Sequence, residues 1–497
     1  MKLKLVYGRA GTGKSRYVYE DILKNINSKK IYLIVPEQYN LTAEKMLFKI
    51  TGKKALINVE VLTLSRMAYR VSTEIGGKEN LKLSQAGKNM LIYDILSKER
   101  DSLSFLGNSD KNIDIVNRMF TELKKHRVGL DDLKCVETDD EYIRLKLKDI
   151  INLYEKYELK VKDSFIDEDD VLTTLGQDLL SSDMFENSYV YIDEFLGFTK
   201  QEYKVFEGLL SKAEKVCVTV CTDSLESKKM EDDIFYFNKI FANRLISISH
   251  DLNYEVEEVC LDNNDKKYKS EEIKFLENNL FFNNKKYMDK TNDIKLFFAK
   301  NPYSEIEYIA KQIHNLVKKS GLRYNEIAVI TEMLDRYSDD VKVIFKKYGI
   351  PVFIDEKKDL NQNVLIKFIL GLLDVLAKNF SQDIVISFLK IGLLDIEKED
   401  IFILENYTKK WDIRGNKWFK PFAYEEIDDV QERLENIRKK LINSLVGLKN
   451  DLLKERTFEE ISKAIYKFLI DNNITERLES SLKEFDSLDM MQEYNTS

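Results

Sequence analysis

The sequence predicts an α/β protein with two parallel-sheet units that are interrupted by helical segments. Three observations lead to this fold class. Strand and helix patterns alternate at the start of the chain, and they alternate again from about Asp293. The stretches in between and afterwards carry apolar residues at the three- and four-residue spacing of helices. The length of 497 residues agrees, because it exceeds what one hydrophobic core usually supports.

The first unit opens with a strand, a glycine loop and a helix. Residues Lys2 to Tyr7 are a predicted strand, the segment GRAGTGKS follows, and a helix is predicted from Ser15. A second strand, Ile31 to Val35, ends at Pro36. This alternation is typical of a parallel sheet.

Apolar strands return after a long interruption. The segments YVYID and VCVTVC have the pattern of buried strands, so residues 1–80 and 188–290 are assigned to one lobe. Within this lobe, Lys228 to Lys290 is polar, rich in Asn and weakly patterned. That stretch is predicted to hold loops and an edge of the sheet.

Residues 81–187 form a predicted helical insertion in the first lobe. Segments such as DIVNRMFTELKKH carry apolar residues on one helical face. The acidic run from Asp167 to Asp170 precedes the apolar pattern VLTTL. We interpret the run as a helix N-terminus, where negative charge is favourable, in preference to a metal site.

A second parallel unit is predicted at residues 291–361. Its predicted strands are IKLFFA, IAVIT and IPVFID, and Gly321 is expected to end the helix between the first two. That helix places on one face Ile306, Ile309, Ala310, Ile313, Leu316 and Val317. Residues 362–497 are predicted to be a helical insertion without a returning strand, so the second lobe is expected to be incomplete and the chain truncated.

Composition limits the possible classes of function. The formal net charge of -8 argues against a wholly basic nucleic-acid coat, so any DNA contact must come from a local groove of basic and aromatic side chains. No apolar run is long enough to cross a bilayer, and the first residues lack a signal-peptide pattern. The expected location is the cytoplasm, without a membrane partner.

The cysteines and histidines do not form a recognisable catalytic or metal-binding pattern. Cys217 and Cys221 share one face of the predicted strand VCVTVC, and we interpret them as small core residues. The three histidines are isolated from one another and from the cysteines. Neither zinc-ligand spacing nor a serine or cysteine triad can be assembled from them.

The segment GRAGTGKS carries the most specific motif of the chain. It fits the phosphate-binding pattern G-x-x-x-x-G-K-[ST] and lies between a predicted strand and a predicted helix. Its glycines allow backbone N–H groups to turn towards phosphate oxygens. Lys14 is expected to reach the β and γ phosphates of ATP, and Ser15 is expected to bind Mg²⁺. The predicted nucleotide-binding residues are Gly8, Arg9, Ala10, Gly11, Thr12, Gly13, Lys14 and Ser15.

A phosphate-binding loop of this kind requires a carboxylate at the end of another strand. The segment YVYIDEF supplies Asp193 and Glu194 after a run of strand-forming residues. Asp193 is predicted to hold Mg²⁺, directly or through water. Glu194 is predicted to orient or deprotonate the attacking water. The simpler alternative is a buried strand that meets a helix cap.

Sequence blocks along essentially the whole chain match one known family. The blocks are GRAGTGKS, VPEQYNLTAE, VLTLSRMAYRV and YIDEFLGFTKQE, followed by NPYSEIEYIAKQI, LRYNEIAVIT and YGIPVFIDEKKDL. Together they resemble the B subunit of the AddAB helicase-nuclease and its UvrD-like relatives. The resemblance implies two RecA-like parallel-sheet lobes with helical insertions, the second lobe being incomplete in this chain.

The same resemblance implies a function. It implies an ATP-binding and DNA-binding subunit that contributes to the resection of double-strand breaks and to recognition of the Chi sequence. The implied partners are an A-subunit motor, in a heterodimer, and single-stranded and broken-end DNA. The family's iron–sulfur cysteines and nuclease carboxylates belong to a C-terminal domain outside this chain, so no cysteine here is assigned to a cluster.

Departures from the active relatives imply that this subunit is helicase-like but is not the motor. Residues 221–226 read CTDSLE in place of a GDxxQ-type block, so the coupling glutamine is missing. After IAVI the chain has Thr331 and Glu332 where active relatives commonly carry an arginine, with Arg336 as a candidate substitute. Efficient hydrolysis of ATP is therefore not expected.

Blocks that resemble strand-contacting motifs supply candidate DNA ligands. These are Gln38, Tyr39, Thr63, Ser65 and Arg66, which could pair with phosphates and stack on a base. A structural role is the alternative, with Tyr39 in core packing and Arg66 as a solvated residue on a helix.

Two other functions fit the phosphate-binding loop. A small-molecule kinase would use the same loop, but the insertion between Lys14 and Asp193 and the second α/β unit match a two-lobe helicase better. A non-catalytic scaffold with a vestigial ATP site is the second alternative.

Overall fold

The structure is a computed structural model that describes residues 2–487 except for several short gaps. The gaps are residues 53–55, 77–80, 107–111, 163–164, 227–229, 231–232, 263–267, 281–284, 355, 357–359, 423–427 and 455–456. Contacts divide the chain into two compact units, Met1–Leu296 and Phe297–Ser497. We refer to them as unit 1 and unit 2.

Unit 1 is built around a six-stranded parallel sheet. Its strands are β1 (Leu3–Gly8), β2 (Lys30–Ile34), β3 (Val59–Leu62), β6 (Ser188–Ile192), β7 (Lys215–Cys221) and β8 (Val256–Cys260). Their order across the sheet is β3-β2-β6-β7-β1-β8, and every pairing is parallel. The predicted α/β fold class is confirmed.

Helices cover both faces of this sheet. They are α1 (Lys14–Asn25), α2 (Asn40–Thr51), α3 (Leu64–Glu74), α9 (Lys200–Lys212) and α10 (Tyr236–Asp251). A further helix, α11 (Glu271–Asn279), follows β8 in the chain. Strand β2 shows why two cores result. Tyr32 and Ile34 belong to the core on one face, whereas Ile31 and Leu33 belong to the core on the other. Successive side chains of a strand point to opposite faces, so an unbroken apolar run suits a sheet buried on both sides.

The interruption between β3 and β6 is mostly helical, as its spacing predicts. It contains α4 (Gln85–Glu99), α5 (Asn112–Lys125), α6 (Leu130–Lys134), α7 (Glu141–Lys162) and α8 (Val171–Asp178). Two short strands, β4 (Leu81–Leu83) and β5 (Phe165–Asp167), pair in parallel and were not predicted. The residues from Leu83 to Val161 share a core of their own, whereas Leu175 of α8 belongs to the core of the sheet.

The acidic run Asp167 to Asp170 does begin a helix, and it also neutralises two buried lysines. The Asp167 carboxylate accepts a hydrogen bond from the Asp169 backbone N–H at 3.0 Å, which is a capping contact. Lys124 lies 2.9 Å from Asp167 and is paired with Asp170, while Lys88 is paired with Asp169. Both lysine side chains are almost fully buried, so this cluster joins α4 and α5 to the start of α8.

The segment from Lys228 to Lys290 is more ordered than predicted. It holds the predicted edge strand β8, but it also holds α10, which buries Phe241, Ala242 and Leu245 against the sheet. The polar and Asn-rich flanks of α10 obscured its apolar face, which points to the sheet. The prediction of loops and an edge was therefore correct for β8 but wrong for residues 236–251 and 271–279, which are helical.

Helices make up the regular structure described in unit 2. They are α12 (Pro302–Ser320), α13 (Leu334–Lys347), α14 (Val364–Ala377), α15 (Gln382–Leu389), α16 (Lys398–Lys410), α17 (Asp428–Lys454), α18 (Phe458–Asp471) and α19 (Ile474–Ser487). The predicted end of α12 at Gly321 is confirmed, with a φ of 67°. Its buried face consists of Ile306, Ala310 and Ile313 as predicted, whereas Leu316 is 39% exposed.

The predicted second sheet does not form among the described residues of unit 2. The segments IKLFFA, IAVIT and the described part of IPVFID contain no strand, and Asp355 lies outside the described residues. Residues 327–329 and 350–353 both line a cleft of about 650 Å³. Ile330 is 92% exposed and Phe353 is 89% exposed. Apolar strands of a parallel sheet require neighbouring strands, and these segments have none among the described residues, although Ile350 is buried and Ile327 and Ile354 pack against the core that α12 and α13 share.

Candidate nucleotide-binding site

The glycine loop joins the end of β1 to the start of α1. Gly11 has a φ of 86° and Gly13 has a φ of 92°, both in the left-handed region that glycine adopts without strain. Gly13 is also the residue that precedes α1, so the loop turns directly into the helix N-terminus. Sequence reasoning placed the strand, loop and helix correctly to within one residue.

Gly8 is required by the close approach of a neighbouring strand. A Cβ atom at this position would lie 2.5 Å from the carbonyl oxygen of Leu261 and 2.5 Å from the hydroxyl of Thr12. Leu261 follows β8, and its N–H donates to the Tyr7 carbonyl at 2.8 Å. The edge strand therefore supports the loop, and any side chain at Gly8 would displace it.

Lys14 folds back onto its own loop. Its ammonium donates to the carbonyl oxygens of Gly8 and Arg9, each at 2.9 Å. The Arg9 carbonyl also accepts from the Thr12 hydroxyl at 3.0 Å. The Lys14 ammonium is thus held by backbone carbonyl oxygens of the loop. Phosphate oxygens would replace these contacts or add to them. Ala10 adds no polar side chain to the loop.

Asp193 occupies a buried position at the carboxyl end of β6. Only 2% of the residue is exposed, and its backbone N–H donates to the Ile34 carbonyl at 3.1 Å. One carboxylate oxygen, Oδ1, accepts from the hydroxyl of Thr219 on β7. The other, Oδ2, has no hydrogen-bond partner among the described residues. An unpartnered buried carboxylate oxygen costs free energy, so Oδ2 is well suited to bind a cation.

Burial dominates the electrostatics around Asp193. It raises the pKa of this carboxyl, and the Thr219 hydrogen bond opposes the rise without cancelling it. Tyr19 of α1 is also affected, because burial and then the charges of Asp193 and Glu194 raise its pKa to about 12. This corner of the site is rich in negative charge, a condition that favours a bound cation.

Glu194 connects the end of β6 to the glycine loop. Its carboxylate accepts a hydrogen bond from the Ser15 hydroxyl at 2.8 Å, although β7 separates β6 from β1 in the sheet. Glu194 has a φ of 66°, which is uncommon for a residue with a side chain and costs about 1 kcal/mol. The backbone therefore accepts strain at the position that brings this carboxylate to Ser15.

The residues present fit Mg²⁺. The ion prefers oxygen ligands and is commonly held by one or two carboxylates together with phosphate oxygens. Ser15, Asp193 and Glu194 supply a hydroxyl and two carboxylates within one small region. In the part of the chain that the structure describes, no group of three or more His, Cys, Asp or Glu residues is arranged so that it could hold a metal ion by itself.

Two residues that sequence reasoning missed complete this region. Thr219 holds Asp193 from the middle of VCVTVC, where its hydroxyl was overlooked because the segment was interpreted as core. Glu277 of α11 pairs with Arg9 at 2.9 Å, across a separation of 268 residues. Local patterns carry no signal for the second contact.

The candidate DNA-contacting residues lie at the ends of β2 and β3, which are neighbours. Gln38 and Tyr39 form part of a short 3₁₀ helix after β2, and Tyr39 is 43% exposed. Ser65 and Arg66 are exposed on α3, and Arg66 lies 3.6 Å from Glu44 of α2. Thr63 is 1% exposed, and its hydroxyl accepts from the Arg66 N–H, so its role is to cap α3.

Of the two cysteines that were interpreted as core residues, Cys217 is buried and Cys221 is only partly buried. Cys217 is fully buried in β7, where burial raises the pKa of its thiol to about 12, and Cys221 ends the same strand in a partly buried position. Cys135 and Cys260 are exposed. The interpretation of Cys217 as a core residue is confirmed.

The fold and the loop define a parallel α/β protein that carries a phosphate-binding-loop sequence between its first strand and first helix. The family model described as "ADDB, N-terminal" matches residues 5–277, more than half of the chain. The chain therefore belongs to the AddB family. The sequence-based recognition is confirmed.

Curated relatives agree with this assignment. The chain is similar to the B subunit of the ATP-dependent helicase/deoxyribonuclease of Clostridium tetani, with 37% identity over 99% of this chain and 46% of the relative. The protein of the same name from Clostridium novyi is 35% identical over 98% of this chain and 44% of the relative. That from Acetivibrio thermocellus is 32% identical over the whole chain and 46% of the relative. The chain thus spans about half the length of the curated relatives that it matches.

Among the described residues, no helix combines the length and the apolar character that crossing a bilayer requires.

Proposed function

We propose that this chain binds ATP with Mg²⁺ and acts as a DNA-binding subunit of a helicase-nuclease. In this role it takes part in the cytoplasmic resection of double-strand breaks for recombinational repair. The observation that carries the proposal is the convergence of the glycine loop with two carboxylates. Ser15 contacts Glu194, and Asp193 beside it keeps one buried oxygen without a partner.

Each residue has a defined part in this proposal. The Lys14 ammonium leaves the Gly8 and Arg9 carbonyls and binds the β and γ phosphates. The backbone N–H groups of residues 8–15 surround the same phosphates. Ser15 and Asp193 hold Mg²⁺, which neutralises phosphate charge. Glu194 orients or deprotonates a water molecule near the terminal phosphate. The names of the relatives, which include helicase and deoxyribonuclease, support assignment to DNA processing.

The raised pKa of Asp193 gives a testable pH dependence. Protons should compete with Mg²⁺ at a higher pH than they would at an exposed carboxyl, because burial favours the protonated form. We expect the stimulation of ATP binding by Mg²⁺ to fall as the pH is lowered towards this raised pKa. Asp193→Asn should remove both the stimulation and its pH dependence. Calorimetric titrations with and without Mg²⁺ at several pH values measure this.

The matched control for this measurement is Asp183→Asn. Asp183 is an exposed carboxylate of unit 1, with 79% of its side chain exposed. Its substitution should leave the magnesium effect and its pH profile unchanged. The assignment of Asp193 as the cation ligand would be wrong if Asp193→Asn retained a full, pH-dependent response to Mg²⁺.

We assign single-stranded DNA to the surface formed by the ends of β2 and β3. Tyr39 and Arg66 project from neighbouring helices, and Tyr69, one turn beyond Ser65, is 64% exposed. Aromatic rings can stack on bases, and a guanidinium can pair with phosphate. Tyr69 was not identified from sequence, although its spacing from Ser65 places it on the same helical face.

The DNA assignment is tested by fluorescence anisotropy with a labelled single strand across a salt series. Affinity should fall steeply with salt because phosphate counterions are released. Loss of a stacking ring in Tyr39→Ala should weaken binding roughly 5-fold or more. Tyr142→Ala removes a ring of similar exposure from the insertion and serves as the control. Binding that is undetectable, or is independent of salt, would contradict the proposal.

Unwinding is assigned to the partner A-subunit motor. In residues 221–226 the coupling glutamine is absent, and Asp223 is engaged in an ion pair with the fully buried Lys239 at 2.8 Å. Residues 221–226 thus contribute to the structure by neutralising the buried Lys239. ATP-driven displacement of a labelled strand by this chain alone should not be observed, and displacement that disappears in Lys14→Ala would show that the chain is a motor.

A further inference from the structure

Helix α11 links the glycine loop to the segment that leads towards unit 2. Near its C-terminal end, Glu277 holds Arg9 of the loop. Near its N-terminal end, Glu272 holds the backbone of residues 292–294. Neither contact belongs to the sheet, so the helix bridges two otherwise separate places.

Arg9 makes two hydrogen bonds to Glu277 and one contact with an aromatic ring. The Arg9 Nε donates to the Glu277 carboxylate at 2.9 Å, and a terminal guanidinium nitrogen donates to the Glu277 backbone carbonyl. The Arg9 guanidinium also lies 5.2 Å from the centre of the Phe235 ring. The side chains of Arg9 and Glu277 are only 18% and 15% exposed, so water screens their attraction less than at a free surface. A guanidinium at the last turn of a helix also interacts favourably with its dipole.

Glu272 makes an equally specific contact at the other end. It is 6% exposed, and its carboxylate accepts hydrogen bonds from three consecutive backbone N–H groups. The Asn292 nitrogen lies 2.9 Å and the Ile294 nitrogen 2.6 Å from the carboxylate oxygens of Glu272, and the Asp293 N–H also donates to this carboxylate. Unit 1 ends two residues after Ile294. The carboxylate therefore fixes the last backbone segment of unit 1.

Arg9 is a shared ligand if a nucleotide binds as proposed. Its side chain belongs to the same loop as Lys14, and its carbonyl oxygen already contacts the Lys14 ammonium. A bound polyphosphate brings several negative charges to this loop. A guanidinium group can form bidentate hydrogen bonds with a phosphate, as it can with a carboxylate. Phosphate and Glu277 therefore compete for one cation.

We propose that α11 is a nucleotide-responsive latch, in which Glu277 holds Arg9 until a polyphosphate draws the guanidinium away. Release of Arg9 frees the C-terminal end of α11 and loosens the hold of Glu272 on residues 292–294. This inference rests on the proposed binding of ATP. It adds Glu277 and Glu272 as positioning residues through which nucleotide occupancy reaches the end of unit 1.

The test combines calorimetry with hydrogen exchange on the full chain, using a non-hydrolysable ATP analogue with Mg²⁺. In the unsubstituted chain, the analogue should increase amide exchange in α11 and at residues 292–294. Glu277→Gln should increase this exchange without nucleotide and should tighten binding of the analogue about 3- to 10-fold, because the competing charge is removed. Arg9→Ala should abolish the nucleotide-dependent change while Lys14 still supports binding.

Glu271→Gln is the matched control, because it makes the same substitution on the same helix at a side chain that is 74% exposed. It should change neither affinity nor exchange. A purely structural role of the Arg9 contact predicts higher exchange in Glu277→Gln with unchanged affinity, and that result would overturn the latch. Saturable binding without any change in exchange would also overturn it. An absence of binding to the unsubstituted chain would overturn the proposed function as well.

Discussion

Lys14→Ala is expected to weaken the binding of ATP with Mg²⁺ by roughly 10- to 100-fold, the range expected when a charge-assisted contact is lost. The ammonium lies on the carbonyls of Gly8 and Arg9, where the loop holds it ready for phosphate. Its contacts are with loop backbone atoms, so removing the side chain should leave the folded sheet intact. Calorimetry on the two proteins, with circular dichroism to check the fold, measures the effect.

Lys24→Ala is the control for this prediction. Lys24 is an exposed residue in the last turn of the same helix, α1, about three turns away from the loop. Its loss removes the same charge from the chain without touching the loop. Equal affinities of Lys14→Ala and the unsubstituted chain would refute the assignment of the loop to phosphate binding.

Lys124→Met is expected to destabilise unit 1 by about 3–5 kcal/mol, the usual cost of breaking a buried ion pair from one side. Lys124 lies 2.9 Å from Asp167 and 3.1 Å from Glu158, and it is also paired with Asp170. Methionine preserves most of the volume but leaves these carboxylates with less compensating charge. Lys125→Met, at the next and largely exposed position of α5, should have little effect.

The positions of the tryptophans allow the two units to be followed separately. Both Trp411 and Trp418 belong to unit 2, so tryptophan fluorescence reports on unit 2 while circular dichroism reports on both units. In urea titrations, Lys124→Met should shift the circular dichroism transition of unit 1 and leave the fluorescence transition in place. A shift of less than about 1 kcal/mol would mean that the lysine is replaceable by apolar packing.

The effect of Lys124→Met should also depend on pH. Burial alone would raise the pKa of Asp167, but Lys124 and the Tyr157 hydroxyl bring it below its usual 3.8. A carboxyl with a lowered folded-state pKa contributes stability above the unfolded-state pKa, and this contribution is lost as the pH falls through the folded-state value. The difference between the two proteins should therefore be largest near neutral pH and should shrink in acid.

Sequence patterns correctly predicted those features of the structure that depend on a few adjacent residues. The glycine loop, its flanking strand and helix, and the end of α12 at Gly321 each follow from the backbone preferences of a few adjacent residues. The buried strands of the first sheet were predicted because they are apolar on both faces. For the same reason Asp193 and Glu194 were found at the end of β6.

Contacts between distant residues could not be predicted in this way. Lys88 and Lys124 look like solvated helix residues until the fold brings the acidic run of residues 167–170 beside them. Glu277 is similarly inconspicuous in a polar segment. The prediction of a second sheet was wrong for a different reason. The strand patterns are present in the sequence, but strand formation also requires partner strands, which the described part of unit 2 does not provide.

The order of the strands in the sheet means that β1 is synthesised long before its neighbouring strands. Strand β1 is synthesised before the other described strands, yet its neighbours in the described sheet are β7, which ends at Cys221, and β8. At about 5–20 residues per second, roughly 10–40 s pass before β7 has been made. During that time the apolar strand must remain without its neighbours. Lys2, which precedes the strand, and Lys4, which lies within it, later contact Ser211 and Glu257, and until then their charges oppose aggregation of the nascent chain.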